Sequence, residues 1–366
     1  MTLEEFYSNK RILITGHTGF KGAWMCQVLH RLGADIAGYS LNSEVTTPNL
    51  YSLCKCDEYV KSYYGDIRDY DALKSAFDEF RPEIVIHMAA QPLVRLSYDN
   101  PAYTFDVNIM GTVNILECIR NTTSVKSFVN ITTDKVYKNL EQNIAYSEDM
   151  RLGGYDPYSN SKSCSELVTR SYKDSFFGGD EAIMKDGRRV AISTCRAGNV
   201  IGGGDFAGDR LIPDCVRAAL NRDKIIIRNP YSVRPYQHVL EPVTAYLLIA
   251  MRQYEDMSLN GSYNIDPNTE DIWNSGRIAD AFINEWNKLD KTNLEWIHIG
   301  DDGPHEANLL MLDNTLVKNV FGISPRWNVE QAIAKIVEWT VCYKDNPADV
   351  INITTKQLEE YIDEVR

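Results

Sequence analysis

Short apolar runs alternate with longer segments of helical period through the first half of the chain. Arg11-Ile-Leu-Ile-Thr15 is an apolar run stopped by Gly16, which predicts a buried strand. A glycine-punctuated turn follows. Ala23 to Leu32 then repeats apolar residues at helical spacing until Gly33 ends the helix. Ile36–Ser40 predicts the second strand, and Tyr59–Tyr64 leads into Gly65-Asp66-Ile67. Helices are predicted over Tyr70–Phe80, Asn108–Ile119 and Tyr155–Tyr172. Further strands are predicted over Ile84–His87, Ser127–Thr132 and Val190–Cys195. Such alternation implies a parallel sheet covered on both faces, and right-handed crossovers make it doubly wound. After about residue 196 the rhythm breaks into Gly-, Pro- and Arg-rich segments between helices. The expected class is α/β: a Rossmann-like doubly wound parallel sheet over 1–195, with a smaller C-terminal substrate-binding domain over 196–366. Some later segments, about 234–264, are expected to return to the first domain, and 176–188 is expected to be a surface loop.

Composition narrows the function. The 366 residues are 44% hydrophobic and 24% charged, as in an ordinary soluble protein. A net charge of -13 argues against binding nucleic acid or anionic membranes without sequence preference. No apolar run approaches the roughly 20 residues of a membrane span, and the first residues lack a signal pattern. A cytoplasmic protein with a small-molecule partner is expected. The eight cysteines are scattered, and Cys54-Lys55-Cys56 is too tight for a zinc site, so reduced thiols and no metal are expected.

Gly16-His17-Thr18-Gly19-Phe20-Lys21-Gly22 lies between the first strand and the first helix. Glycines there let the backbone turn tightly against a pyrophosphate resting on the helix N-terminus. The second strand ends Gly38-Tyr39-Ser40-Leu41-Asn42, without the carboxylate that usually holds a ribose 2′-hydroxyl. Ser40 and Asn42 could take that hydroxyl. No Arg stands near for a 2′-phosphate, though Lys21 could serve, so NAD is favoured and NADP stays open. Asp66 is read as an adenine acceptor or a turn residue, with Ile67 beside it. His87-Met-Ala-Ala-Gln91 ends a strand at the sheet's ligand-binding edge, where Ala89 and Ala90 leave room. His87 is read as structural, whereas Gln91 and Asn108 are expected at the cofactor. Arg95 is read equally as a substrate contact or a solvated loop charge.

The chemistry concentrates in Thr133, Asp134, Lys135, Tyr158 and Lys162. A Tyr with a Lys four residues later shares one helix face. The Lys charge and a neighbouring hydroxyl are expected to lower the phenol pKa and make Tyr158 a proton acceptor for a carbinol. Asp134 and Lys135 exceed what an alcohol dehydrogenase needs and suggest a second proton transfer.

With these residues the chain resembles the extended short-chain dehydrogenase/reductase family, and within it the CDP-glucose 4,6-dehydratases. The likeness rests on the glycine turn, Gln91-Pro-Leu-Val-Arg95, Thr133-Asp-Lys135, Gly153-Gly-Tyr-Asp-Pro-Tyr-Ser159 and Arg196-Ala-Gly-Asn-Val-Ile-Gly-Gly-Gly-Asp205. It continues through Asp209-Arg-Leu-Ile-Pro-Asp214, Arg234-Pro-Tyr-Gln-His238, His305-Glu-Ala and Pro325-Arg-Trp327, and so spans about residues 11 to 340. It implies C4 oxidation, loss of water across C5–C6 and hydride return to C6, with tightly held NAD, in deoxysugar synthesis. Tyr158 would take the 4-hydroxyl proton, with Thr133 on that oxygen and Lys162 on the nicotinamide ribose. Asp134 would be the C6 acid helped by Lys135, with Lys135 or a neighbour at C5; related dehydratases carry Asp-Glu there. Asn199, Arg210, Leu211, Arg234, Gln237 and His305 would meet the nucleotide sugar, and His238 would organise a turn. Phe206 and Tyr236 depart from the family's pattern while keeping an aromatic ring. A homodimer or homotetramer through helices 108–119 and 158–172 is also implied. The alternatives are the same chemistry on another nucleotide sugar, or a nucleotide-sugar epimerase or oxidoreductase.

Overall fold

The computed structural model describes residues 1–42, 46–177, 186–300 and 309–363. Its strands are β1 (Arg11–Thr15), β2 (Asp35–Ser40), β3 (Val60–Tyr64), β4 (Ile84–His87), β5 (Ser127–Ile131) and β6 (Ala191–Ala197). They are followed by β7 (Asn199–Ile201), β8 (Ile225–Ile227), β9 (Val233–His238), β10 (Ser262–Ile265), β11 (Ile272–Asn274) and β12 (Trp296–His298). Seven strands form one parallel sheet in the order β10-β6-β5-β4-β1-β2-β3. The order reverses between β1 and β4, which opens a crevice beyond their C-terminal ends where ligands of such sheets bind.

Side-chain alternation along β1 divides the core. Ile12 and Ile14 face the helices Phe20–Arg31 and Leu240–Glu255, while Leu13 joins Val85, Leu116 and Phe128 on the opposite face. The helix Leu240–Glu255 is tied to the sheet by polar bonds. Ser127 donates to the Ala250 carbonyl at 2.9 Å, and Gln253 donates to the Phe128 carbonyl at 3.0 Å. A separate apolar cluster holds the later segments, with Cys215, Ile225, Phe282, Trp286 and Ile333 at its centre. There the small sheets β11-β9-β7 and β12-β8 stand beside the mouth of the crevice.

The predicted strands at 11–15 and 84–87 and the helix at 70–80 coincide with observed elements. Two differences bear on the site. The first helix starts at Phe20 rather than Ala23, so Gly19 is its N-cap. The helix expected over 108–119 is preceded by a π stretch, Asp106–Met110, before regular α-helix resumes at Gly111–Arg120. A Cβ at Gly111 would lie 2.7 Å from Ile67, which lets the helix press onto the loop after β3. Residues 178–185 of the expected 176–188 loop lie outside the described residues. Among the described residues, no helix is long and apolar enough to cross a membrane.

Candidate active site

The glycine turn is built by close approach. Gly16 takes a left-handed φ of +75, and a Cβ there would lie 2.9 Å from the Ala89 nitrogen. A Cβ on Gly22 would lie 2.3 Å from the Gly16 carbonyl oxygen, so the turn and the first helical turn close on each other. Gly19 caps the 12-residue helix with extended backbone and no side-chain hydrogen bond. The first N–H groups are therefore left for a ligand, and Ala89 and Ala90, both partly exposed, leave space beside them. The pyrophosphate of a dinucleotide fits this cradle.

Several residues expected at the cofactor spend their side chains within the protein, which leaves backbone groups for a ligand. His17 is fully buried, its ring over Gly38 and Nε2 3.0 Å from the Ser62 hydroxyl; burial pushes its pKa down to about 4. Ile67 packs in the core. Gln91 folds its amide back on Leu93 and onto Thr104, and Asn108 bonds both backbone groups of Gln91 and the Ser161 hydroxyl. These amides build the loop after β4. Lys21 stands in the cavity wall with Arg210, Asp134 and Asp205 as charged neighbours, not beside Ser40; burial and Arg210 push its ammonium pKa down to about 8. Thr18 donates to Ser40 at 3.1 Å at the end of β2. Asp66 keeps a half-exposed carboxylate held low by Arg68. His87 is buried between Thr15 and Thr112, in line with a structural role.

The reacting groups meet between β5 and the helix Pro157–Tyr172. Thr133 starts a single 3₁₀ turn, Asp134–Val136, and accepts the Lys135 N–H at 3.4 Å. Its hydroxyl also donates to Oδ1 of Asp134 at 2.8 Å and neighbours the Tyr158 phenol. Asp156 caps the helix and Pro157 opens it, which places Tyr158 in the first turn. One turn on, Lys162 is buried and donates to the Ile131 carbonyl at 3.1 Å. The helix is locked to β6 by Glu166, which receives Arg196 at 2.7 and 2.9 Å with both side chains buried.

Electrostatics here are ruled by burial. It raises the Tyr158 phenol to about 12; Thr133 and Arg210 pull the other way and Asp134 adds to the rise. The expected lowering of the phenol by Lys162 is thus corrected, because desolvation dominates. Burial and then the charge of Lys21 bring Lys162 down to about 7. The Asp134 carboxyl is raised by burial against Lys135, Thr133 and Arg234.

A cavity of about 320 Å³ joins these groups to the later half of the chain. Thr133, Asp134, Lys135 and Tyr158 line it together with Arg95, Asn199, Arg210, Leu211 and Arg234. Arg210 pairs with Asp205 at 3.2 Å, and Arg95 lies 4.0 Å from Asp209. Gln237 is buried behind the cavity and donates to the Ile265 carbonyl at 2.8 Å. His238 is buried against Trp24 and Trp327, beyond the cavity. Phe206 packs on Trp339 and Tyr343, whereas Tyr236 is in the wall with Ser275 and Asn199. His305 lies outside the described residues. Asp205 escaped the sequence reading, although it closes a glycine run that already drew notice.

A family model described as GDP-mannose 4,6 dehydratase matches residues 13–336. The CDP-glucose 4,6-dehydratase of Salmonella typhimurium is 42% identical over 96% of this chain and 99% of its own length. The dTDP-glucose 4,6-dehydratase 1 of Escherichia coli is 24% identical over 97% of this chain and 98% of its own. Among solved structures, the Bacillus anthracis dTDP-glucose 4,6-dehydratase in complex with NAD superposes with a TM-score of 0.73 at 20% identity, over 92% of this chain and 97% of its own. DesIV, a dTDP-glucose 4,6-dehydratase from Streptomyces venezuelae with NAD bound, gives 0.74 at 20% identity over 94% and 99%. The structural likenesses bear on the fold.

Proposed function

The chain belongs to the GDP-mannose 4,6 dehydratase family, and from that membership we propose that it is an NAD-dependent CDP-glucose 4,6-dehydratase. It is a hydro-lyase that converts CDP-D-glucose to CDP-4-keto-6-deoxy-D-glucose and water. The observation that carries the reading is Thr133-Asp134-Lys135 in one cavity with Tyr158: a carbinol base beside a separate acid and base. The likeness to the Salmonella enzyme supports the cytidine nucleotide.

When bound, NAD supplies a hydride acceptor at C4 that later serves as the donor at C6, so no reductant is consumed. Tyr158 accepts the 4-hydroxyl proton as its phenolate, a form that burial disfavours and that Thr133 and Arg210 favour, while Thr133 holds that oxygen, and Lys162 would orient the nicotinamide ribose. Asp134 gives a proton to the departing C6 hydroxyl, and Lys135 removes the proton at C5 and delivers one back to C5 as hydride reaches C6. The water formed contains the C6 oxygen and, in net balance, the proton that left the 4-hydroxyl. Thr133, which neighbours Tyr158 and donates to Asp134, offers the return path for that proton.

Gly16, Thr18, Gly19, Phe20 and Gly22 would hold the pyrophosphate, Ser40 the ribose, Asp66 the adenine, and Ala89 and Ala90 the space for the rest. Arg210, Arg234, Asn199, Leu211 and Arg95 would hold the sugar nucleotide, since guanidinium groups fork onto phosphate oxygens. Residues 1–195 would thus carry the cofactor and 196–366 mainly the substrate. A homodimer or homotetramer is supported by Tyr103, Met110 and Leu167, apolar side chains exposed on neighbouring helices. Work in the cytoplasm is supported by eight free thiols.

The deciding experiment incubates the protein with CDP-, dTDP-, GDP- and UDP-hexoses without added reductant and follows mass. Loss of one water from the CDP-hexose alone, without net NADH, is expected. Dehydration of another nucleotide's hexose would move the specificity. An inverted centre at unchanged mass would mean an epimerase, and net NADH a dehydrogenase.

A further inference from the structure

Asp205 closes the glycine run Gly202–Gly204 that follows β7. That run is held against the first half of the chain. The Gly203 carbonyl accepts the indole N–H of Trp24, on the helix Phe20–Arg31, at 3.0 Å. Gly204 takes a left-handed φ of +81, and a Cβ there would lie 2.6 Å from Leu50. Asp205 therefore leaves the run at a fixed point. Its side chain is 3% exposed and stands in the cavity wall. Oδ1 accepts the Ala207 N–H at 3.1 Å, which closes a turn and sets the carboxylate in one orientation. Oδ2 accepts from the Arg210 guanidinium at 3.2 Å.

Arg210 is the residue before the helix Leu211–Asn221, and its side chain is 38% exposed. It shares the cavity wall with Asp134, Tyr158 and Arg234. A long side chain of that exposure has many rotamers, and a phosphate that captures it must order it. One bond to a buried carboxylate orders it beforehand, and a guanidinium has N–H donors left over for phosphate oxygens. Lys21 is a second charged neighbour of Asp205 in the same wall, but the hydrogen bond to Asp205 comes from Arg210. The carboxylate itself repels an anionic ligand, so any gain it brings must come through the cation that it holds.

We propose that Asp205 is a positioning residue that holds the Arg210 guanidinium ready for the diphosphate of the nucleotide sugar. The proposal rests on the dehydratase reading, in which Arg210 meets that diphosphate. Asp205 acts through Arg210 alone. Because Trp24 anchors the run that carries Asp205, the helix whose N-terminus would receive the cofactor's pyrophosphate also fixes the arginine that would receive the substrate's.

Asp205→Asn keeps Oδ1 for the Ala207 N–H and sets an amide NH2 against the guanidinium, donor against donor. KM for CDP-glucose should rise about tenfold, and CDP affinity in calorimetric titration should fall by a similar factor. The value of kcat should move far less, and NAD affinity should stay parental. The double variant separates positioning from direct contact. Arg210→Met should raise KM at least as much, and Asp205→Asn added to it should raise KM no further. An unchanged or lower KM in Asp205→Asn overturns the proposal. So does a further rise in the Arg210→Met background, which would mean that Asp205 meets the ligand or serves another group. Should Asp205→Asn not fold, Arg210→Lys decides. A point charge cannot reproduce the held fork, so KM should rise, and a parental KM would overturn the proposal. Titration with CDP needs no turnover, so it stands apart from failure of the dehydratase reading, which would show as no dehydration of any CDP-hexose by the parent.

Discussion

The Thr133 hydroxyl donates to Oδ1 of Asp134 at 2.8 Å and favours the ionised form of the neighbouring Tyr158 phenol. One hydroxyl thus stands between the group proposed to act at O4 and the group proposed to act at O6. Asp134→Asn keeps an acceptor for Thr133 and removes only the proton. Elimination should slow by about 10²–10⁴-fold while C4 oxidation persists. Stopped-flow absorbance should then show reduced nicotinamide building up in the presence of CDP-glucose. Turnover at the parental rate would remove Asp134 as the acid.

Tyr158→Phe retains the ring and loses the oxygen. No reduced nicotinamide should form, and kcat should fall by about 10²–10⁴-fold or more. Binding of CDP-glucose should stay close to parental, because the arginines and Asn199 lie elsewhere in the cavity. Calorimetric titration checks the binding, and appearance of reduced nicotinamide at the parental rate would refute the role.

The glycine turn offers a test that does not depend on turnover. In Gly22→Ala the new Cβ would meet backbone atoms at 2.3 Å from Gly16 and 2.6 Å from His17, with no flexible side chain to yield. The turn must open, so NAD binding should be lost and the melting temperature should fall. Fluorescence titration with the cofactor and thermal unfolding would register both. Unchanged NAD affinity would mean that the pyrophosphate lies elsewhere.

Much of this was legible in the chain because buried parallel strands read as continuous apolar runs, as Ile12-Leu-Ile14 and Ile84-Val-Ile86 do. The reacting groups were legible because Thr133 through Lys135, and Tyr158 with Lys162, are local patterns. What was hidden depends on distance along the chain. Gln91 and Asn108 look like ligands until each is seen to complete the other's hydrogen bonds. The rise of the Tyr158 phenol follows from how much protein covers it, which spacing does not encode. The first helical turn, Phe20-Lys-Gly22, has no apolar period, so the helix start was placed late.

Glu241 supplies a pH test remote from the cavity. It is buried at the start of the helix Leu240–Glu255 and accepts the N–H groups of Arg326 and Trp327 at 3.1 and 2.9 Å and the Tyr361 hydroxyl at 2.7 Å. One carboxyl therefore clamps the loop at Arg326 and the helix Val350–Asp363. Burial raises its pKa from an ordinary 4.5 to about 7, against the pull of those donors and the Arg326 charge. Between those two values the folded state holds a proton that the unfolded state has released, so stability falls as pH rises through the window. Below it there is no cost; above it the cost is about 3 kcal/mol. In Glu241→Gln the amide oxygen can accept the two backbone N–H groups and the amide nitrogen can donate to Tyr361. The variant should match the parent near pH 4.5 and melt higher above pH 7. Scanning calorimetry across that range provides the measurement; a variant that melts lower than the parent at alkaline pH would show that the ionised clamp stabilises the fold.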